Sequence, residues 1–445
     1  MTAMTVRTGR SSGRAVCRWT AAALLPLLAT ACDAAAPAAS GAVKTVSGPV
    51  QLQAALLTAK GGTEIRLQPG DYGELSLRGK KFEGQPLTLI AATDKRPVFT
   101  KLTLDGASGI VVAGVQVSGL GRPLVGMSNA SNIVFAGNLV TGANHNQDPW
   151  DDNGVAAWIR FSRHMTIAGN IFEDFRGTAY FQQTDRATFA DNTVRHVREG
   201  LNVAASTNLD LMRNYFHSFS PKFMDREHPD SIQFWTAREK IGSSNVRIVE
   251  NVMMHGLCGA IQGIFIRSET TGNPKAPQIY HDNFLVQRNV YYGASKHGVT
   301  VTSVHGSVVE NNVVVASPWS LSGIKRADAQ AKDPRCSGAL QPAILTRFGV
   351  PENVVRKNIA PLFGQSEAQF SDNVTVSSKG ERITSVLPAQ PTGEVPELSA
   401  FITKQGSKAR ARGIGVLEPF SHGAPDDFRV ALANALKIHA ERAEP

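Results

Sequence analysis

The chain has 445 residues, a formal net charge of +9 at pH 7, 42% hydrophobic residues and 19% charged ones. That apolar content is too high for a disordered polyelectrolyte, and the basic residues are too scattered, with no recognition motif among them, for a nucleic-acid binder. No apolar run is long enough to cross a bilayer as a helix.

Residues 1–31 read as a signal peptide, with Arg7, Arg10, Arg14 and Arg18 as its positive region, Trp19–Leu28 as a short apolar segment and Ala29-Thr30-Ala31 as a small-residue cleavage site. Cys32 follows, and LATAC resembles a bacterial lipoprotein box. Two outcomes stay open: a lipidated Cys32 that attaches the protein to a membrane, or ordinary cleavage that leaves a free thiol. Both imply export, to the periplasm, the outer membrane or the medium, with residues 32–43 as a flexible linker. Loss of the four arginines lowers the formal charge from +9 to +5, a surplus that suits an acidic polysaccharide. Only Cys258 and Cys336 remain in the folded part, and whether they pair is open. A monomer is expected.

Gly48–Lys60 has helical apolar spacing, and short β-branched runs follow at Thr63–Leu67, Leu87–Ala91 and Ile110–Val117. A repeat then takes over, in which a small polar residue and a few alternating apolar residues precede an asparagine. The asparagines are Asn138, Asn170, Asn192, Asn214, Asn251, Asn289 and Asn312, with Val115 in the same place one repeat earlier. The steps are 23, 32, 22, 22, 37, 38 and 23 residues. A unit of 22–23 residues holding three short strands, with insertions at certain steps, predicts an all-β fold: a single-stranded right-handed parallel β-helix. Its asparagines should stack as a structural ladder. The solenoid is expected over residues 44–395, with an N-terminal cap helix and a C-terminal extension over 396–445 containing a helix at Asp426–Ala443.

Insertions in a solenoid collect on its functional face. One carries Asp148, Asp151 and Asp152, an oxygen-rich set that a hard cation such as Ca2+ would favour. Others are Pro221–His228, Glu269–Ile279 and Pro318–Val350. One strand per coil lies beside them, and alternation within Gly298–Ser303 sends Val299 and Val301 inward. The same frame sends Trp158, Tyr180, Gln182, Asn202, Gln233, Trp235, Phe265 and Arg267 outward, with His297 beside them. Aromatic faces, amides and a guanidinium in one column suit a sugar chain. His228 and Asp230, two apart across a proline, form either an oriented acid/base pair or a pair in which Asp230 caps its own turn. Arg267 would neutralise a substrate carboxylate, or pair with Glu269 or Asp230.

Over residues 44–380 the chain resembles the pectin-lyase-like β-helix superfamily. Its opening, PVQLQAALLTAKGGTEIRLQPGDYGELSLRG followed by QPLTLIAATDKRPVFTKLTLDGASGIVVAGVQV, looks like the start of the chondroitinase B and alginate lyase family. The resemblance implies β-elimination on a uronate chain, with a calcium held by an acidic pair, a lysine base on the same strand and an arginine one coil on. His228-Pro-Asp230 stands where the acidic pair would be and Arg267 matches the arginine, but Trp235 occupies the lysine's place.

The expectation is therefore an exported lyase for an acidic, uronate-containing polysaccharide, with His228 as base, Asp230 orienting it, Arg267 on the carboxylate and calcium as the implied cofactor. The alternatives are a mannuronan-type C5 epimerase, a glycoside hydrolase using Asp230 with Asp151 or Asp152, and a non-catalytic glycan-binding surface protein.

Overall fold

The computed structural model describes residues 41–142, 154–220, 228–256, 261–322, 325, 328, 340–347, 352–364, 368–376 and 381–443. The expected signal segment, Cys32, Asp148, Asp151, Asp152, Cys258 and Cys336 lie outside these residues.

Each coil contributes one strand to each of three sheets, and every strand pairs in parallel with its counterparts in the coils before and after. A typical coil runs through Ser131–Ala136 in sheet A, Leu139–Thr141 in sheet B and Val155–Arg160 in sheet C, then returns to sheet A at Arg163–Ala168. Among the described residues the sheets hold 14, 11 and 11 strands. The chain is therefore the parallel β-helix that the repeat predicts. Alternation sends Ile133, Phe135, Val140 and Ile159 of this coil into the core, where each meets the equivalent residue one rung away at about 4.8 Å, the spacing of hydrogen-bonded strands. The N-terminal helix, Pro49–Leu57, buries Leu52, Ala55 and Leu56 in the same core.

The asparagine ladder is present. Each side-chain oxygen accepts from the amide of the previous ladder residue, starting with Val115 N to Asn138 Oδ1 at 3.0 Å, and each Nδ2 donates to the next oxygen, as Asn170 does to Asn192 at 3.0 Å. The ladder runs beyond Asn312 through Asn358 to Asn373. The residue before each ladder position sits in the left-handed region: glycine at 114, 137 and 169, with φ of 72°, 63° and 64°, then Asp191, Arg213 and Glu250.

Those three glycines also make room for the C-terminal helix, Phe428–Glu441, which Asp427 caps by accepting from the Arg429 amide at 2.8 Å. A Cβ on Gly137 would lie 2.7 Å from that of Phe428, and one on Gly169 would lie 2.4 Å from that of Ala431. The helix buries Phe428, Ala431, Ala435 and Ile438 against the outer face of sheet A, on Val111, Val134, Ala136, Ala168 and Ala190. His439 stacks on His164 with ring centroids 3.8 Å apart. A second C-terminal stretch seats Val386, Leu387, Leu398, Phe401, Ile414 and Val416 on the outer face of sheet B at Val252, Met254, Val290 and Val313. Neither cover includes an outward residue of sheet C. Two of the expected insertions, including the acidic one, fall in the chain between a sheet B strand and the next sheet C strand, and Glu269–Ile279 falls between sheets C and A; the fourth, Pro318–Val350, is shorter than expected, since that range contains the sheet C strand Ala343–Arg347. Among the described residues, sheet C is thus the face without such a C-terminal cover.

Candidate active site

Sheet C stacks Trp158, Tyr180, Asn202, Gln233, Phe265 and Thr300 in register on successive rungs. Two residues further along each strand, Arg160, Gln182, Ala204 and Trp235 form a second column. Arg267 continues it one rung beyond Trp235, its amide donating to the Phe234 carbonyl at 3.1 Å. All the residues expected on this face are brought together, but two are less accessible than an open groove requires. Asn202, between Tyr180 and Gln233, is only 5% exposed, and Phe265, between the His228 and His297 rings, 7%. Gln182 is engaged as well, its Nε2 donating to Glu239 Oε1 at 2.6 Å.

A third column opens the same strands, where Glu199, Asp230, Gln262 and His297 start successive rungs. His228 Nδ1 lies 2.8 Å from Asp230 Oδ2, which fixes the imidazole with its Nε2 edge outward; the His228 side chain is 41% exposed and that of Asp230 is fully buried. The Asp230 hydrogen bond raises the His228 pKa above its ordinary value, outweighing burial, and burial in turn pushes the Asp230 carboxyl up to about 6. Beyond His228 stands the Phe265 ring, edge-on with centroids 5.1 Å apart, and beyond Phe265 the His297 ring at 5.0 Å. His297 Nδ1 is 2.9 Å from Thr300 Oγ1. Burial, with Lys296, His228 and Arg267 as positive neighbours, lowers its pKa to about 4. One phenylalanine therefore separates an imidazole whose pKa is raised from one whose pKa is lowered.

Arg267 is exposed and forms no ion pair among the described residues. The salt bridge to Glu269 open from sequence is not formed. Glu269 instead accepts from the Thr236 amide and hydroxyl at 2.7 and 2.9 Å. Buried His281 fixes the strand end beneath Arg267: its Nδ1 accepts from the Ser243 amide at 2.9 Å, so its Nε2 carries the hydrogen and donates to the Arg267 carbonyl at 3.1 Å.

Sequence reasoning missed Arg198 and Glu199. Arg198, 2% exposed, donates to Glu199 Oε2 at 2.7 Å and is close enough to lower the Asp230 pKa. These groups decide the fit of a calcium at the acidic position. Calcium takes about six to eight oxygen ligands. The strand starts here offer Glu199, Asp230 and Gln262, with the Arg198 guanidinium and the His228 imidazole already set against the two carboxylates. Both carboxylates thus already have a side-chain partner, and among the described residues there is no group of three or more His, Cys, Asp or Glu side chains that could hold a metal.

Residues 100–222 match the family model for the right handed beta helix region. No curated protein matches the chain. Among solved structures, the PL6 family alginate lyase AlyGC is 15% identical, with 76% of this chain and 41% of that one covered at a TM-score of 0.41. This chain thus spans less than half of that enzyme's length. A PL6 family polysaccharide lyase, Pedsa3628 of Pseudopedobacter saltans, is 13% identical, with 85% and 100% covered and a TM-score of 0.40. PfbA, a surface adhesin of Streptococcus pneumoniae, is 11% identical, with 72% and 86% covered and a TM-score of 0.38. By its stacked parallel sheets and this family-model match, the chain has the fold of a right-handed parallel β-helix.

Proposed function

We propose that the protein is an exported lyase that cleaves a uronate-containing polysaccharide by β-elimination on sheet C. The observation that carries this reading is the pair of imidazoles flanking Phe265, one biased to hold its proton and one biased to be neutral, beside an arginine with no described carboxylate partner. Environments that push two titratable groups apart assign an acid and a base. In this reading Arg267 pairs with the substrate carboxylate and stabilises the charge that develops on it. His297 removes the proton from the adjacent C5. The electron pair forms the C4=C5 double bond, the C4–O bond to the leaving sugar breaks, and His228 protonates that oxygen, with Asp230 holding His228 in place. This exchanges the base role that the sequence alone gives to His228.

Hydrolysis by two carboxylates is a poorer fit, because Asp230 is fully buried and cannot touch a substrate oxygen. A C5 epimerase would use the same abstraction and return the proton to carbon. The test is incubation of the purified mature protein with a panel of acidic polysaccharides, following ultraviolet absorbance of unsaturated uronate, new reducing ends and sugar composition together. Absorbance rising in step with reducing ends supports the lyase. Altered composition without chain shortening would replace it with the epimerase, and no change in any readout would leave a binding role.

A further inference from the structure

N-terminal to the imidazoles on the same face, a cavity of about 130 Å³ is lined by Arg122, Val155, Arg176, Gly177, Tyr180, Arg198 and Glu199. Three guanidiniums thus meet one carboxylate. Val155, Gly177 and Glu199 start three successive sheet C strands, so the wall spans the rungs just before Asp230. Arg198 is held by Glu199 from within, and Arg176 and Tyr180 also have partners, so the wall is ordered rather than a set of loose surface chains. Arg122 reaches the cavity from the turn before the Val125–Ser128 strand and is exposed.

We infer that this cavity is a second subsite, which takes an acidic substituent, a carboxylate or a sulfate ester, on a sugar other than the one that reacts. The subsite rests on the reading of sheet C as the glycan-binding face. The cavity has room for a charged substituent of a sugar. Guanidiniums present planar paired donors that match carboxylate and sulfate oxygens. A fourth arginine adds to the positive field: Arg160 lies over the Trp158 ring at 3.9 Å, its buried Nε has no hydrogen-bond partner, and Arg122 is near enough to depress its pKa. Such crowding of like charge is relieved by an anion between them. The middle rung of the wall, at Gly177, is two rungs from Asp230, or roughly 10 Å at the spacing of paired strands. A disaccharide step spans that distance, so the site favours a polymer with acidic groups on nearby sugars over one with isolated charges.

The experiment is calorimetric titration of the full mature protein with a uronic acid tetrasaccharide, its methyl ester and a sulfated neutral tetrasaccharide. Wild type should bind at least one acidic probe, and Arg122→Gln should weaken that binding about tenfold, the loss of one charge-assisted contact. If the substituent is a carboxylate, the ester should bind wild type more weakly than the acid does. Whichever acidic probe loses most in Arg122→Gln names the substituent. Equal affinity of wild type and Arg122→Gln for both acidic probes overturns the subsite. Arg176→Gln repeats the test on the opposite wall, with circular dichroism to show that both variants fold. Binding lost in these variants while no unsaturated product forms would leave the subsite standing and the elimination reading fallen; product formation with unchanged binding would reverse that.

Discussion

His228 and Asp230 are joined by a 2.8 Å hydrogen bond that turns a fully buried carboxylate into an anchor for a half-exposed imidazole. Asp230 reaches no solvent, so its chemistry passes through His228. The next rung places Phe265 against that imidazole, and His297 stands on the far side.

The protonation bias of the two histidines gives activity a bell-shaped pH dependence. If the proposed roles hold, activity should rise as His297 loses its proton near 4 and fall as His228 loses its own above 6.5. Asp230→Asn removes the charge that raises the His228 pKa, so the alkaline limb should move to lower pH with little change in the acid limb. Both members of the pair bind protons more tightly folded than unfolded. Their contribution to stability is complete below about 3.8 for Asp230 and 6.5 for His228, and is lost as pH climbs through the raised folded values. Rate profiles of the two proteins check this, and an unmoved alkaline limb in Asp230→Asn would remove the dyad from the mechanism.

Arg267→Ala should lower turnover by about a hundredfold or more, the scale for removing one donor to a developing negative charge. Its side chain is exposed and makes no described ion pair, so thermal stability should stay near wild type. Arg267→Lys should recover part of the rate, since a point charge replaces a paired donor. Wild-type turnover in the alanine variant would assign the carboxylate to another cation.

Asn192→Ala should cost about 1–3 kcal/mol, because it leaves the Asn170 amide and the Ile167 carbonyl buried without their partners. Urea denaturation measures the loss. Asn192→Asp keeps the acceptor for Asn170 but loses the donor to Ile167, and should fall at least as far.

Gly169→Ala places a methyl group 2.4 Å from Ala431 at a backbone φ of 64°, where a side chain adds about 1–2 kcal/mol of its own. The C-terminal helix should lift from sheet A, with faster amide exchange confined to residues 428–441 and turnover unchanged. Exchange equal to wild type would show that the coil yields and not the helix.

The ladder and the sheet C faces were legible because each depends on spacing within one coil: an asparagine at the end of a short strand, and alternation along Asp230–Trp235. His228 and Asp230 were legible for the same reason, being two residues apart. Glu199 was not, because its neighbour Asp230 lies one coil on across an insertion, and only the alignment of Leu201 with Ile232 brings the two together. Arg122 arrives from a turn whose path no periodicity fixes. Nothing in the coils of the glycines at 114, 137 and 169 announces the helix that crosses them some 300 residues later in the chain.

The two C-terminal covers alter the order in which the molecule can be completed. Coils of a solenoid touch only their neighbours, so each can settle as it leaves the ribosome. The last helix instead docks on strands made near the beginning, and His439 meets His164 across a sequence gap of 275 residues. Until synthesis ends, Ala136, Ala168 and Ala190 present an uncovered apolar strip, open to any other unfinished chain. The final stretch acts as a latch that couples early coils to late ones, so truncation near residue 425 should cause aggregation of newborn chains well before it alters the sheet C chemistry.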